Sequence, residues 1–74
     1  MFYKLSGTYV RDTSVFCNVE LIEKNDFFTE VVRKLTFNIP ISQGRIVYHD
    51  EVNLMVEQAL KEANIVVEGY YSEN

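Results

Sequence analysis

The stretch FYKLSGTYVRDTSVFCNVELIEK, residues 2–24, decides the fold. In residues 2–10 the odd positions are Tyr3, Leu5, Gly7 and Tyr9; in residues 14–24 the core-type odd positions are Val15, Cys17, Val19 and Leu21. Alternation with period two is the mark of strands that bury one face. Arg11, Asp12 and Thr13 between them suit a three-residue hairpin loop closed by Val10 and Ser14. That closure sets Tyr9 opposite Val15, Gly7 opposite Cys17, Leu5 opposite Val19 and Tyr3 opposite Leu21. Every pair is apolar or small. A slip by one residue would turn the two apolar rows to opposite faces, so the agreement between strands weighs more than either pattern alone.

Toward the C-terminus, residues 28–39 can be read two ways. As a strand they put Val31, Leu35, Phe37 and Ile39 on one face, with Arg33 as the exception. A loop of Asn25, Asp26 and Phe27 then pairs Leu21 with Val31, Cys17 with Leu35 and Val15 with Phe37. As a helix, Phe27, Phe28, Val31, Val32 and Leu35 form a stripe behind an Asp26 cap. The adjacent valines and the run LTFNI favour the strand, and Pro40 ends it. Ser42, Gln43 and Gly44 make a turn, and residues 45–48 are a short strand or an extended lead-in.

Residues 50–63 are helical by spacing: Val52, Met55, Val56, Ala59 and Ala63 form one stripe, with Leu60 at its edge. Asp50 suits the N-cap, with Glu51 near the positive end of the helix dipole. Asn64 suits the left-handed position past the C-terminus, with Ile65 folded back on the last turn. Residues 65–71 are β-branched and aromatic and read as a final strand. The order β-β-β-(β)-α-β predicts an α+β domain over residues 1–74: an antiparallel meander of three to five strands with one helix on the odd-residue face. The opposite face carries Lys4, Glu20 and Lys34 among wettable neighbours.

Composition narrows the function. The chain has 74 residues, 47% of them hydrophobic, and a net charge of −4. Residues 1–49 hold six Lys/Arg against five Asp/Glu, a net of +1; residues 50–74 hold Lys61 against six Asp/Glu, a net of −5. The acidic excess therefore sits in the last third. No stretch approaches the roughly 20 apolar residues of a membrane span. The opening MFYKLSGTYV is too short and polar for a signal peptide. A lone Cys17 excludes an internal disulfide and suits a reducing compartment, so the cytoplasm is the expected location.

Chemistry is sparse. His49 is the single imidazole and Cys17 the single thiol. Three consecutive residues, His49, Asp50 and Glu51, cannot all point at one metal ion. Cys17 lies in the core row, where a thiol acts as a small hydrophobe. There is no activated-nucleophile motif and no Gly-rich phosphate loop. These features predict no enzyme, no cofactor and no metal. Phe2, Phe16 and Phe28, with Lys4, Lys24 and Lys34 nearby, offer an alternative as a sheet face that stacks single-stranded nucleic acid. Glu20, Glu30 and the net negative charge oppose it.

Protein contact is the leading expectation. Leu54 projects from the polar side of the helix among Glu51, Glu57, Gln58, Lys61 and Glu62, the arrangement of an apolar anchor in a charged rim. Tyr48, Tyr70 and Tyr71 are a second candidate set. The expected function is that of a small acidic inhibitor or adaptor, of the kind phages and mobile elements carry. Its expected partner is a protein with a basic surface, blocked sterically or by carboxylates placed where phosphates would lie. A thin core and an open sheet edge predict self-association as a dimer.

Overall fold

The computed structural model describes residues 1–72. Three strands and one helix follow one another in the chain: β1 (Phe2–Arg11), β2 (Ser14–Lys24), β3 (Thr29–Pro40) and α1 (His49–Glu62). The strands form an antiparallel sheet in the order β1-β2-β3. This is the expected α+β arrangement, with β2 in the centre and the segment 27–35 resolved in favour of the strand.

The β1–β2 register matches the expected pairing at one end and departs from it at the other. Tyr3 faces Leu21 and Leu5 faces Val19. Between Leu5 and Gly7 the register shifts by one, leaving Ser6 as the extra residue of a bulge. Beyond it Thr8 faces Cys17, Tyr9 faces Phe16 and Val10 faces Val15. Arg11 pairs with Ser14, so the loop is the two residues Asp12 and Thr13, with Asp12 left-handed at φ 49°. The bulge turns Tyr9 away from the core row, and its ring stacks on Phe16 at 4.9 Å. Gly7 follows the bulge, and a Cβ there would come within 3.2 Å of Asn18 Nδ2.

The β2–β3 register lies two residues from the expected one over most of its length. Cys17 faces Phe37, Val19 faces Leu35 and Leu21 faces Arg33. A shift between Leu21 and Ile22 leaves Val32 as the extra residue, after which Ile22 faces Val31. The reason lies in the turn. Asn25 Oδ1 accepts hydrogen bonds from the Phe27 and Phe28 amides at 2.8 and 3.0 Å, and the Asn25 amide donates to the Phe28 carbonyl. That side-chain turn consumes residues 25–28 and starts β3 at Thr29.

The helix lies against the odd-residue face of the sheet. Val52, Val56 and Leu60 are buried against Tyr3, Val15, Cys17, Val19 and Leu21. The stripe is therefore Val52-Val56-Leu60, one residue every four. Leu60, expected at its edge, is fully buried in it, and Ala63, expected within it, is exposed. The bulkier side chain takes the seam because it removes more apolar area from water. The N-cap of α1 is Tyr48, two residues before the expected Asp50, with no side-chain cap bond; Asp50 is in the first turn. Its C-terminus is as expected. Asn64 is left-handed at φ 61°, its amide donates to Lys61 O, and the Ile65 amide donates to Leu60 O at 2.9 Å. Ile65 packs against the core.

Residues 65–71 do not form a full strand. They run beside β1 through one parallel bridge, Tyr3 to Tyr70. The Tyr3 amide donates to Gly69 O, the Glu68 amide to Met1 O and the Tyr71 amide to Tyr3 O. Tyr70 packs edge-on against Tyr3, while Tyr71 packs on Phe2 and under Lys24 Nζ. The tail thus covers part of the β1 edge and holds both faces of the sheet.

Candidate functional site

A groove of about 780 Å³ runs between α1 and the C-terminal half of β3. Its position follows from the placement of the helix. The core stripe of α1, Val52, Val56 and Leu60, packs with side chains of β1 and β2, while Glu51, Leu54, Met55, Gln58, Ala59 and Glu62 line the space beside Phe37, Asn38, Ile39 and Pro40 of β3. The floor is Phe37, Ile39 and Pro40; the wall is Leu54, Met55 and Ala59; the rim is Arg45, Glu51, Gln58 and Glu62. Leu54 is 66% exposed at the mouth, while Phe37, Ile39 and Met55 are half-buried. The Arg45 guanidinium pairs with the Glu51 carboxylate. Gln58 Nε2 donates to Glu62 Oε1 at 3.2 Å, one helical turn on. These bonds fix the rim side chains along the mouth of the groove and leave the Glu62 charge uncompensated by a cation among those contacts.

Four of the six residues singled out from the sequence meet here: Glu51, Leu54, Gln58 and Glu62. Glu57 and Lys61 do not. They lie on the other flank of α1, where they line a separate depression with Ile65, Val66 and Val67. The negative charge of Glu57 is felt by Tyr3 in β1, whose hydroxyl is pushed above its usual pKa first by burial and then by that carboxylate. Helical spacing puts Glu51, Gln58 and Glu62 on one side of Leu54 and Glu57 and Lys61 on the other, and only the first side faces β3.

Other chemistry-bearing residues lie apart. The Cys17 side chain is fully buried, and burial raises its thiol pKa against a hydrogen bond with Thr8 that lowers it. Among the described residues no group of three His, Cys, Asp or Glu could hold a metal ion. No helix in that range is long and apolar enough to cross a membrane.

The open face of the sheet is divided into segments. Phe2 is opposite Ile22 and covered by Tyr71; Phe16 is opposite and stacked on Tyr9. Six residues of β2 separate those positions, about 20 Å of strand. The ladder Lys4, Glu20, Lys34 and the Thr36 to Asn18 hydrogen bond fill the interval. Phe28 is outside β3, on the turn. The three phenylalanines therefore share no stacking platform. Ile22 is 3% exposed, a buried position on the face the sequence assigned to water.

The exposure of Phe27 beside Phe28 was missed. Phe27 is 94% and Phe28 54% exposed at the tip of the β2–β3 hairpin. The signal was available in Asn25, whose side chain commonly closes such a turn. Tyr48 is 68% exposed on the lead-in to α1, whereas Tyr70 and Tyr71 are engaged with β1.

The chain matches no known family model, and no curated protein or solved structure is detectably similar to it.

Proposed function

We propose that this chain is a non-enzymatic protein-binding module. Another protein with a basic surface docks on the groove between α1 and β3, and the chain acts as a cytoplasmic inhibitor or adaptor by covering that surface. The observation that carries the reading is Leu54. A leucine two-thirds exposed at the mouth of an apolar groove, with Glu51, Gln58 and Glu62 around it, has the composition of a contact centre. Scattered exposed leucines mean little, but this one continues an apolar floor. The net charge of −5 over residues 50–74 supports a basic partner, because long-range attraction would steer the encounter.

The reading is tested by capture from the native host with the immobilised chain and a Leu54→Asp variant. Leu54 touches solvent rather than core, so the variant should melt within a few degrees of the parent. The expected result is loss of capture by tenfold or more, and weakening of the parent's capture as salt rises. Equal capture by Leu54→Asp removes the groove from the account.

A further inference from the structure

The two outer edges of the sheet are treated differently. The β1 edge is partly covered by residues 67–71, through bonds to Met1 and Tyr3. Among the described residues β3 pairs only with β2, and no backbone hydrogen bond from 29–40 goes elsewhere. An uncovered edge presents a row of backbone donors and acceptors, and folded proteins normally guard it with bulges, charges or proline. Here the guards sit at the two ends. The Val32 bulge, Arg33 and Lys34 protect the first part of β3, and Pro40 closes the last. The five residues between, Leu35–Ile39, carry none of these devices. Phe37, Asn38 and Ile39 among them border the groove, with Phe37 and Ile39 in its floor.

We infer that this unguarded edge takes an extended segment of the partner protein as a fourth strand, with alternate apolar side chains entering the groove below Leu54 and Met55. The inference rests on the docking reading above and specifies its chemistry. A strand laid against Leu35–Ile39 has side chains pointing alternately to the two faces. Those on the helix side meet Phe37, Ile39, Met55 and Leu54 and should be apolar. Those on the open side lie beside Thr36 and Asn38 and should be polar. Basic residues at the ends of the segment meet the Glu51 and Glu62 rim. Main-chain bonds supply affinity in such additions, and the alternating pockets supply selectivity.

A second copy of this chain is the competing occupant, and charge argues against it. A two-fold interface sets one patch against the same patch. Centred on the groove, it would oppose the Glu51 and Glu62 rim to itself, between two chains of net charge −4. Arg45 is already paired with Glu51. A basic strand from another protein meets opposite charge at the Glu51 and Glu62 rim, and like charge at Arg33 and Lys34, outside Leu35–Ile39.

The test uses the full chain and the synthetic peptide acetyl-KTVTVTK-amide, which has valines on one face and lysines at both ends. Backbone amide shifts are followed by NMR during titration. Two analogues carry N-methyl groups, one on the valines and one on the threonines, so each blocks the donors along one edge of the peptide only. A third analogue replaces both valines by serine at unchanged charge. Strand addition predicts shifts at Leu35–Ile39, Leu54 and Met55. It also predicts that one N-methyl pattern binds like the parent while the other binds at least tenfold more weakly, as does the serine analogue. Equal binding of both N-methyl analogues, or equal loss of both, overturns strand addition. If the shifts still map to the groove in that case, the docking reading survives. Shifts elsewhere, or none at millimolar peptide, overturn both. Sedimentation of the chain without peptide closes the last alternative: a dimer that Leu54→Asp dissociates makes the second copy the occupant and overturns the inference.

Discussion

Two side chains in the core carry a pH signature. Cys17 and Tyr3 are 0% and 1% exposed, and burial is the leading cause that raises both pKa values. Each group is neutral when protonated, so a raised value means that the folded state holds its proton longer than the unfolded state. At a pH above the ordinary values of 9.0 for Cys17 and 10.0 for Tyr3, the unfolded chain binds fewer protons than the folded chain. Stability then falls as pH rises. The expected outcome is a melting temperature that is level near neutrality and drops on passing pH 9, with a shallower drop in Tyr3→Phe above pH 10. An unchanged alkaline slope in that variant would show that the Tyr3 hydroxyl ionises freely in the fold. At the same scale, the sequence made some positions readable and hid others. Asn64 announced its left-handed role because asparagine tolerates that conformation. Ser6 announced nothing, since a bulge has no side-chain signature of its own; Gly7 beside it was the available clue.

Elements were readable where one residue type repeats at one spacing. Strands β1 and β2 and helix α1 were legible, and most of their core positions were assigned to the correct face, with Tyr9, Ile22 and Ala63 as the exceptions. Registers were legible only up to the first irregularity. The bulges at Ser6 and Val32 each move a strand by one position, and the Asn25 turn moves β3 further. Such shifts come from competition between turn geometry and cross-strand packing, which no single strand's pattern contains. The tail at residues 65–71 has strand composition but contributes one bridge. Its tyrosines straddle β1 and commit the segment to side-chain packing. Within α1 the centre of gravity is Leu60. Leu60→Ala should cost about 2–5 kcal/mol, as expected for a leucine truncated in a closed core. Leu54→Ala should change stability by no more than about 0.5 kcal/mol, as for an exposed site. Urea melts of the two variants check both values, and similar costs would mean that the stripe is misplaced.

The whole molecule measures 45 × 25 × 16 Å. A 12-residue strand spans about 40 Å and a 14-residue helix about 21 Å, so α1 roofs roughly half of the sheet. The shorter helix leaves the hairpin tip at Phe27 uncovered, 94% exposed. The candidate site was half legible in the sequence. The outward direction of Leu54 follows from helical periodicity. Which flank faces β3, and the contribution of Phe37, Ile39 and Pro40, depend on where the helix rests across a sheet whose register the sequence did not disclose. The central claim is that a partner occupies the α1–β3 groove. Hydrogen exchange of the chain alone and in complex with its captured host protein tests it most directly. The account predicts slowed exchange in the amides of Leu35–Ile39 and along the Glu51–Glu62 part of α1, with the Lys4–Thr8 part of β1 unchanged. Protection confined to β1, or to the hairpin tip at residues 25–28, would contradict it.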